Sequence, residues 1–212
     1  IRNHRRRPIM IRIHHAKGTR SMRLIWLCEE LALPYELAPV DFTPAGRAKP
    51  EWRRISPTGK VPAIHDGEFS MFESGAIVEY LLERYGKGRL RPAPGTPDSG
   101  LYLQWGWFAE ATFARPLGDI AQHTVVRPEA QRIPAVVEDA KLRTQVCLDA
   151  LEAAVPGGRY LLDSGFTAAD IMMGYPVFLA RRFGVLTPAN YPNVNAYLAR
   201  LETHPAFIKS QQ

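Results

Sequence analysis

The sequence predicts a mixed α/β domain followed by an all-helical one, and three observations carry that prediction. Short β-branched stretches alternate with helix-patterned ones over residues 10–85. Residues 86–97 then hold three glycines and three prolines in twelve positions, the composition of a linker. Every periodic segment in residues 98–212 repeats at the helical spacing. The chain has 212 residues, 46% hydrophobic and 23% charged, enough to build two cores.

The elements follow in order. Residues 10–15 alternate apolar and polar side chains, as a strand does. Within residues 21–33, Leu24, Leu27, Cys28 and Leu31 stand at i, i+3, i+4 and i+7, the stripe of an amphipathic helix that Pro34 stops. Residues 35–40 read as a second strand. Residues 41–60 are rich in Pro, Gly and basic side chains, with a short helix at residues 50–54. Residues 61–65 and 68–72 flank Asp66 and Gly67, a hairpin signal. A helix from Ser74 through Ile77, Val78, Leu81, Leu82 and Tyr85 stops at Gly86. Beyond the linker, helices are expected over residues 98–121, 131–154, 167–182 and 193–203, with Pro176 kinking or splitting the third. Thr167 and Asp170 form a capping pair at its start, so Asp170 is read as structural.

Composition excludes several functions. No uninterrupted apolar run reaches the ~18 residues of a spanning helix, and no secretory signal is visible. Cys28 and Cys147 form neither a disulfide framework nor a metal knuckle, which points to the reducing cytoplasm and no metal. The formal charge of +6 falls to +2 without Arg2, Arg5, Arg6 and Arg7, which argues against nucleic acid as partner. Met10, directly before the first strand, reads as the natural start, with residues 1–9 upstream of it.

The motifs with chemical content are Thr19-Arg20-Ser21-Met22-Arg23, Ser56-Pro57-Thr58-Gly59-Lys60-Val61-Pro62 and Glu73-Ser74-Gly75. Together, in this order and on this domain plan, they resemble the cytosolic glutathione transferase family, of the serine or threonine type. The resemblance implies a thioredoxin-like N-terminal domain over residues 10–85, a linker over 86–97, and a helical domain over 98–212. It also implies a homodimer with no membrane partner, and glutathione as co-substrate.

A peptide with two carboxylates, an ammonium and a thiol needs a donor for each acid, an acid for the ammonium and backbone pairing for its middle. Ser74, at a helix start, offers its hydroxyl and the free N–H groups to an anion. In the family this place holds the γ-glutamyl end, with Glu73 facing the ammonium; the alternative is that Ser74 is merely an N-cap. Family members hold the Val61–Pro62 bond cis, which presents the Val61 main chain to the cysteinyl residue. Lys60 beside it meets the glycyl carboxylate, with Arg47 and Lys49 as weaker candidates. The thiol, at an ordinary pKa of about 8.5, must be ionised to react. A hydroxyl donor at the first strand–helix junction would stabilise it; the junction offers Thr19 first and Ser21 second, each also a candidate helix cap. Cys28 reads as core, and His14 and His15 carry no assigned chemistry. Trp107, Phe108 and Phe113 lie where the family places its acceptor pocket. The implied reaction is attack of the glutathione thiolate on a small electrophile. The alternatives are a glutathione-dependent disulfide reductase or peroxidase, and a non-catalytic interaction protein.

Overall fold

A computed structural model describes residues 10–212; the arginine-rich segment and the proposed start at Met10 concern residues 1–9, which lie outside the described residues. The chain divides into two units: one ends at Gly86 and also takes in Lys209–Gln212, and the other is Lys87–Ile208.

The first unit is built on four strands, β1 (Ile11–His15), β2 (Tyr35–Pro39), β3 (Ala63–Asp66) and β4 (Phe69–Phe72), in spatial order β2-β1-β3-β4. β1 and β2 are parallel, joined through helix α1 (Met22–Leu31), because parallel neighbours need a crossover. β3 runs antiparallel to both β1 and β4, and Asp66 and Gly67 make the hairpin turn, with Gly67 at φ 62°. Ile11 and Ile13 are fully buried on one face of β1. α1, buried at every position from Met22 to Cys28, packs against α4 (Ser74–Tyr85), whose Ile77, Val78, Leu81 and Leu82 are buried. Burying those four aliphatic side chains contributes roughly 1.5–3 kcal/mol each. Asp66 ties α4 to the sheet by accepting from the hydroxyls of Tyr80 (2.7 Å) and Tyr85 (2.5 Å), with Arg84 Nε at 3.1 Å. Residues 41–60 hold two short helices rather than one, α2 (Pro44–Ala48) and α3 (Pro50–Ile55). Thr43 caps α2 by accepting from Gly46 N–H. β3 begins at Ala63, two residues later than the sequence suggests, because Pro62 has no N–H for the ladder.

The second unit is helical: α5 (Pro97–Trp107), α6 (Ala114–Ala121), α7 (Pro134–Ala154), α8 (Ala168–Arg182) and α9 (Pro192–Glu202). The path from α5 to α6 widens into a π-helical turn at Phe108–Phe113, and a second follows at Gln122–Val126. α8 is the buried centre of the unit and runs unbroken through Pro176, correcting the expected split: Ile171–Val177 are all buried, and their packing offsets the lost hydrogen bond. Asp170 is structural as expected. Its Oδ2 accepts from Thr167 N–H (2.8 Å) and its Oδ1 from Leu161 N–H and the Tyr197 hydroxyl, each at 3.0 Å. A last helix, α10 (Pro205–Ser210), carries the chain out of this unit and into the tail that belongs to the first.

Candidate active site

Strand register brings the three sequence motifs to one end of the sheet. His14 pairs with Ala63, and Ala63 with Phe72. The C-terminal end of β1, the N-terminal end of β3 and the C-terminal end of β4 therefore coincide. The segments leaving that end are Ala16–Ser21, Lys60–Pro62 and Glu73–Ser74.

The Val61–Pro62 bond is cis. The Val61 side chain is buried with Trp52 and Ala63, while its main chain stands outside the β3 ladder. Ser56, 1% exposed, pins the approach to it: Ser56 Oγ donates to Lys60 O (2.7 Å) and accepts from Lys60 N–H (3.2 Å). Gly59 takes φ 65°, and a Cβ there would meet Arg47 O at 2.6 Å, so the turn requires glycine. Lys60 is exposed. Arg47 is committed to the loop itself, donating from Nε to Gly59 O at 3.0 Å, and Lys49 pairs with Asp41 at 3.8 Å. The Lys60 side chain is thereby the better placed of the three for a ligand carboxylate.

Ser74 is the first helical residue of α4, and Glu73 occupies the cap position with φ 74°. Ser74 is thus not an N-cap. It is 3% exposed, and its Oγ accepts from the guanidinium of the fully buried Arg23 at 3.0 Å. A serine hydroxyl that accepts there directs its proton elsewhere. The combination of helix start, hydroxyl proton and buried guanidinium supplies the donors and positive charge that a bound anion would need. The backbone of Glu73 sits in a region that costs a non-glycine residue roughly 1–3 kcal/mol, as at ligand-clamping positions.

Thr19 and Ser21 meet in one cluster. Thr19 Oγ1 lies 2.7 Å from Ala16 O and 2.8 Å from Ser21 Oγ. Ser21 Oγ lies 3.2 Å from Ala16 O and 2.8 Å from His15 Nδ1. Neither hydroxyl serves as a helix cap: Ser21 is at the cap position of α1, but its side chain makes no capping bond. Ser21 is fully buried and Thr19 half-buried, so Thr19 is the hydroxyl open to a ligand. Sequence reasoning passed over His15 and Arg23. His15 shares strand parity with Ile11 and Ile13, which marks it as inward-facing, and Arg23 is a lone charge in an apolar run.

Cys28 is core: it is fully buried, and burial together with Glu29 pushes its thiol up to about 12. In the second unit, Trp107 is 70% exposed and Phe108 partly exposed, whereas Phe113 is fully buried. The tilt of Phe108 toward Phe113 (centroids 6.1 Å apart) makes Phe113 the floor beneath Phe108 rather than a contact surface. Among the described residues no group of three or more His, Cys, Asp or Glu could hold a metal ion, and no helix is long and apolar enough to cross a membrane.

A thioredoxin-like sheet unit with its loops gathered at one end, followed by a helical unit, defines a class of protein, and the comparisons define the family. Residues 11–83 match Glutathione S-transferase, N-terminal domain, and residues 134–200 match Glutathione S-transferase, C-terminal domain. Glutathione S-transferase 3 of Schizosaccharomyces pombe is 30% identical over 209 residues, covering 93% of this chain and 85% of that one. The Disulfide-bond oxidoreductase YfcG of Escherichia coli is 31% identical over 204 residues, covering 93% and 92%. The crystal structure of the glutathione transferase URE2P6 from Phanerochaete chrysosporium in complex with oxidized glutathione superposes with a TM-score of 0.84 at 25% identity, covering 97% of this chain and 95% of that chain. The chain belongs to the glutathione S-transferase family.

Proposed function

We propose that this protein binds glutathione at the shared end of the sheet and delivers its thiolate to a small electrophile. The observation that carries the reading is the convergence, by register, of the cis Val61–Pro62 segment, the Ser74 helix start and the Thr19 hydroxyl on that end. Ser74 and the α4 N-terminus take the γ-glutamyl carboxylate, and Glu73 the ammonium. The Val61 main chain pairs with the cysteinyl residue, and Lys60 takes the glycyl carboxylate. Thr19 donates to the thiolate, a charge-assisted bond that lowers the thiol's pKa; each unit of lowering is worth about 1.4 kcal/mol. The protein supplies position and electrostatics, with no covalent intermediate on the chain. Trp107 and Phe108 are the acceptor-contacting candidates in the helical unit, with Phe113 behind Phe108. The protein acts as a homodimer in the cytoplasm, where glutathione is reduced and Cys28 and Cys147 stay thiols.

A glutathione-dependent disulfide reductase is the second reading, favoured by the 31% identity to the disulfide-bond oxidoreductase. Both cysteines are buried and unpaired, so such a reaction would run through glutathione rather than a protein thiol. Retention on immobilised glutathione tests the shared part of both readings. A panel of halo-aromatics, peroxides and mixed disulfides then separates them: turnover of halo-aromatics supports transfer, and turnover confined to disulfides supports reduction.

A further inference from the structure

His15 lies outside every role assigned so far, yet it ends a continuous chain of short contacts. Nδ1 is 2.8 Å from Ser21 Oγ, and Ser21 Oγ is 2.8 Å from Thr19 Oγ1. Each step is the length of a well-formed O–H hydrogen bond. The inner members are shielded: Ser21 is fully buried and His15 partly so. Among the described residues the ring meets the Ser21 hydroxyl and the main chain of Gln212, while burial disfavours its charge. The hydrogen bond to Gln212 raises the ring's proton affinity, so Gln212 supplies an acceptor. With Nδ1 turned to Ser21, that acceptor falls to Nε2–H. In the tautomer that carries its hydrogen on Nε2, Nδ1 is a base and Ser21 donates to it.

We propose that His15–Ser21–Thr19 is a proton relay that carries the thiol proton of bound glutathione inward to His15. The relay rests on the glutathione reading above. Its balance is simple. The S–H bond breaks and its proton joins Thr19 Oγ1; the Thr19 proton passes to Ser21 Oγ; the Ser21 proton passes to His15 Nδ1. One S–H bond is lost and one N–H bond formed, leaving a thiolate and an imidazolium. Both hydroxyls end with one proton each, now donating outward, so Thr19 points its O–H at the sulfur it has just ionised. Ala16 O accepts from Thr19 Oγ1 at 2.7 Å and lies 3.2 Å from Ser21 Oγ, so the transfer requires the Thr19 hydroxyl to turn its one proton from that carbonyl to Ser21 Oγ. His15 touches no substrate and is a positioning residue that acts through Ser21. Thiolate and imidazolium then stabilise each other, and by linkage each must raise the other's occupancy equally.

That reciprocity provides a test on the unaltered protein. The ring nitrogens of His15 are titrated by NMR in the presence of glutathione and of S-methylglutathione, which keeps both carboxylates and the ammonium but has no ionisable thiol. The relay expects the His15 midpoint to rise with glutathione by about one pH unit, tenfold in proton affinity, relative to S-methylglutathione. Equal midpoints with both ligands bound would overturn the relay and leave the glutathione reading standing. Failure of both ligands to bind overturns that reading, and the relay with it. A variant separates proton uptake from orientation. In His15→Asn the amide oxygen still accepts from Ser21 but cannot take up a proton. The ultraviolet titration of the bound thiolate should then move up by about one unit while glutathione affinity is held, and Ser21→Ala should do the same. A wild-type thiolate titration in His15→Asn would show that His15 merely orients Ser21, and would overturn the proposal.

Discussion

Ser74 has one hydroxyl and two demands on it, an acceptor's for Arg23 and a donor's for the proposed carboxylate. Ser74→Ala removes both. A contact held equally in ground and transition states is lost from binding and not from turnover, so KM for glutathione should rise about tenfold or more with kcat nearly unchanged. Steady-state kinetics at varied glutathione measures both at once, and an unchanged KM would leave Ser74 as a partner of Arg23 alone. His14, like its neighbour His15, is held below the ordinary imidazole pKa chiefly by burial. It is 9% exposed, set against Trp52 and 2.9 Å from His65, and burial, His65 and Arg12 lower its pKa from 6.5 to about 4. The folded ring therefore refuses a proton that the unfolded chain accepts. Its contribution is complete above about pH 6.5 and drains away as pH falls toward 4, by on the order of 2–3 kcal/mol. Urea unfolding at pH 7.5 and pH 4.5 should show His14→Phe losing less stability between the two than the parent does. Equal losses would mean that the ring titrates normally in the fold.

At the scale of elements, the start of α8 is held by a carboxylate that serves Leu161, Thr167 and Tyr197 together. Asp170→Ala leaves those donors buried and unpaired, at roughly 1–3 kcal/mol apiece, and should cost about 3–5 kcal/mol in chemical denaturation. A loss under 1 kcal/mol would show that water replaces the carboxylate. The legibility of the elements follows from the same local physics. α1, α4, α7 and α8 announce themselves because length and apolar spacing repeat over several turns, and the hairpin because Asp66-Gly67 has few other uses. α2 and α10 escape because five or six residues give no periodicity, although Thr43-Pro44 at α2 is itself a cap-and-proline start. The site divides the same way. Thr19, Val61, Pro62 and Ser74 are recognisable in linear motifs. The parts supplied by tertiary packing are not: Arg23 reaches Ser74 across 51 positions, and His15 gains significance from the turn that folds Ser21 back onto it. The π-helical turn at Phe108–Phe113 has no signature in the sequence, and it is what separates an outward Trp107 from an inward Phe113.

For the molecule as a whole, the proposed homodimer predicts sedimentation as a species of twice 23.8 kDa at micromolar concentration, and a 23.8 kDa species would refute it. The tail offers a second whole-chain measurement. Lys209 Nζ lies 2.7 Å from Glu29 Oε1 and 5.8 Å from the ring centre of Tyr35, Ser210 is 2% exposed, and the main chain of Gln212 bonds His15. Removing residues 209–212 should cost about 1–2 kcal/mol, or roughly 2–8 °C in Tm, and should loosen the cluster around Ser21. An unchanged Tm would show that the tail is not needed there. The position of this tail also bears on the order in which the protein is made. The strand that carries His15 is made before Lys87–Ile208, whereas the residues that complete its surroundings are made after it. At about 5–20 residues per second, synthesis of that stretch takes roughly 6–24 s. Throughout that interval the β1 strand exists without the Gln212 main chain that bonds His15, so the surroundings of the imidazole are completed only by the last residues made.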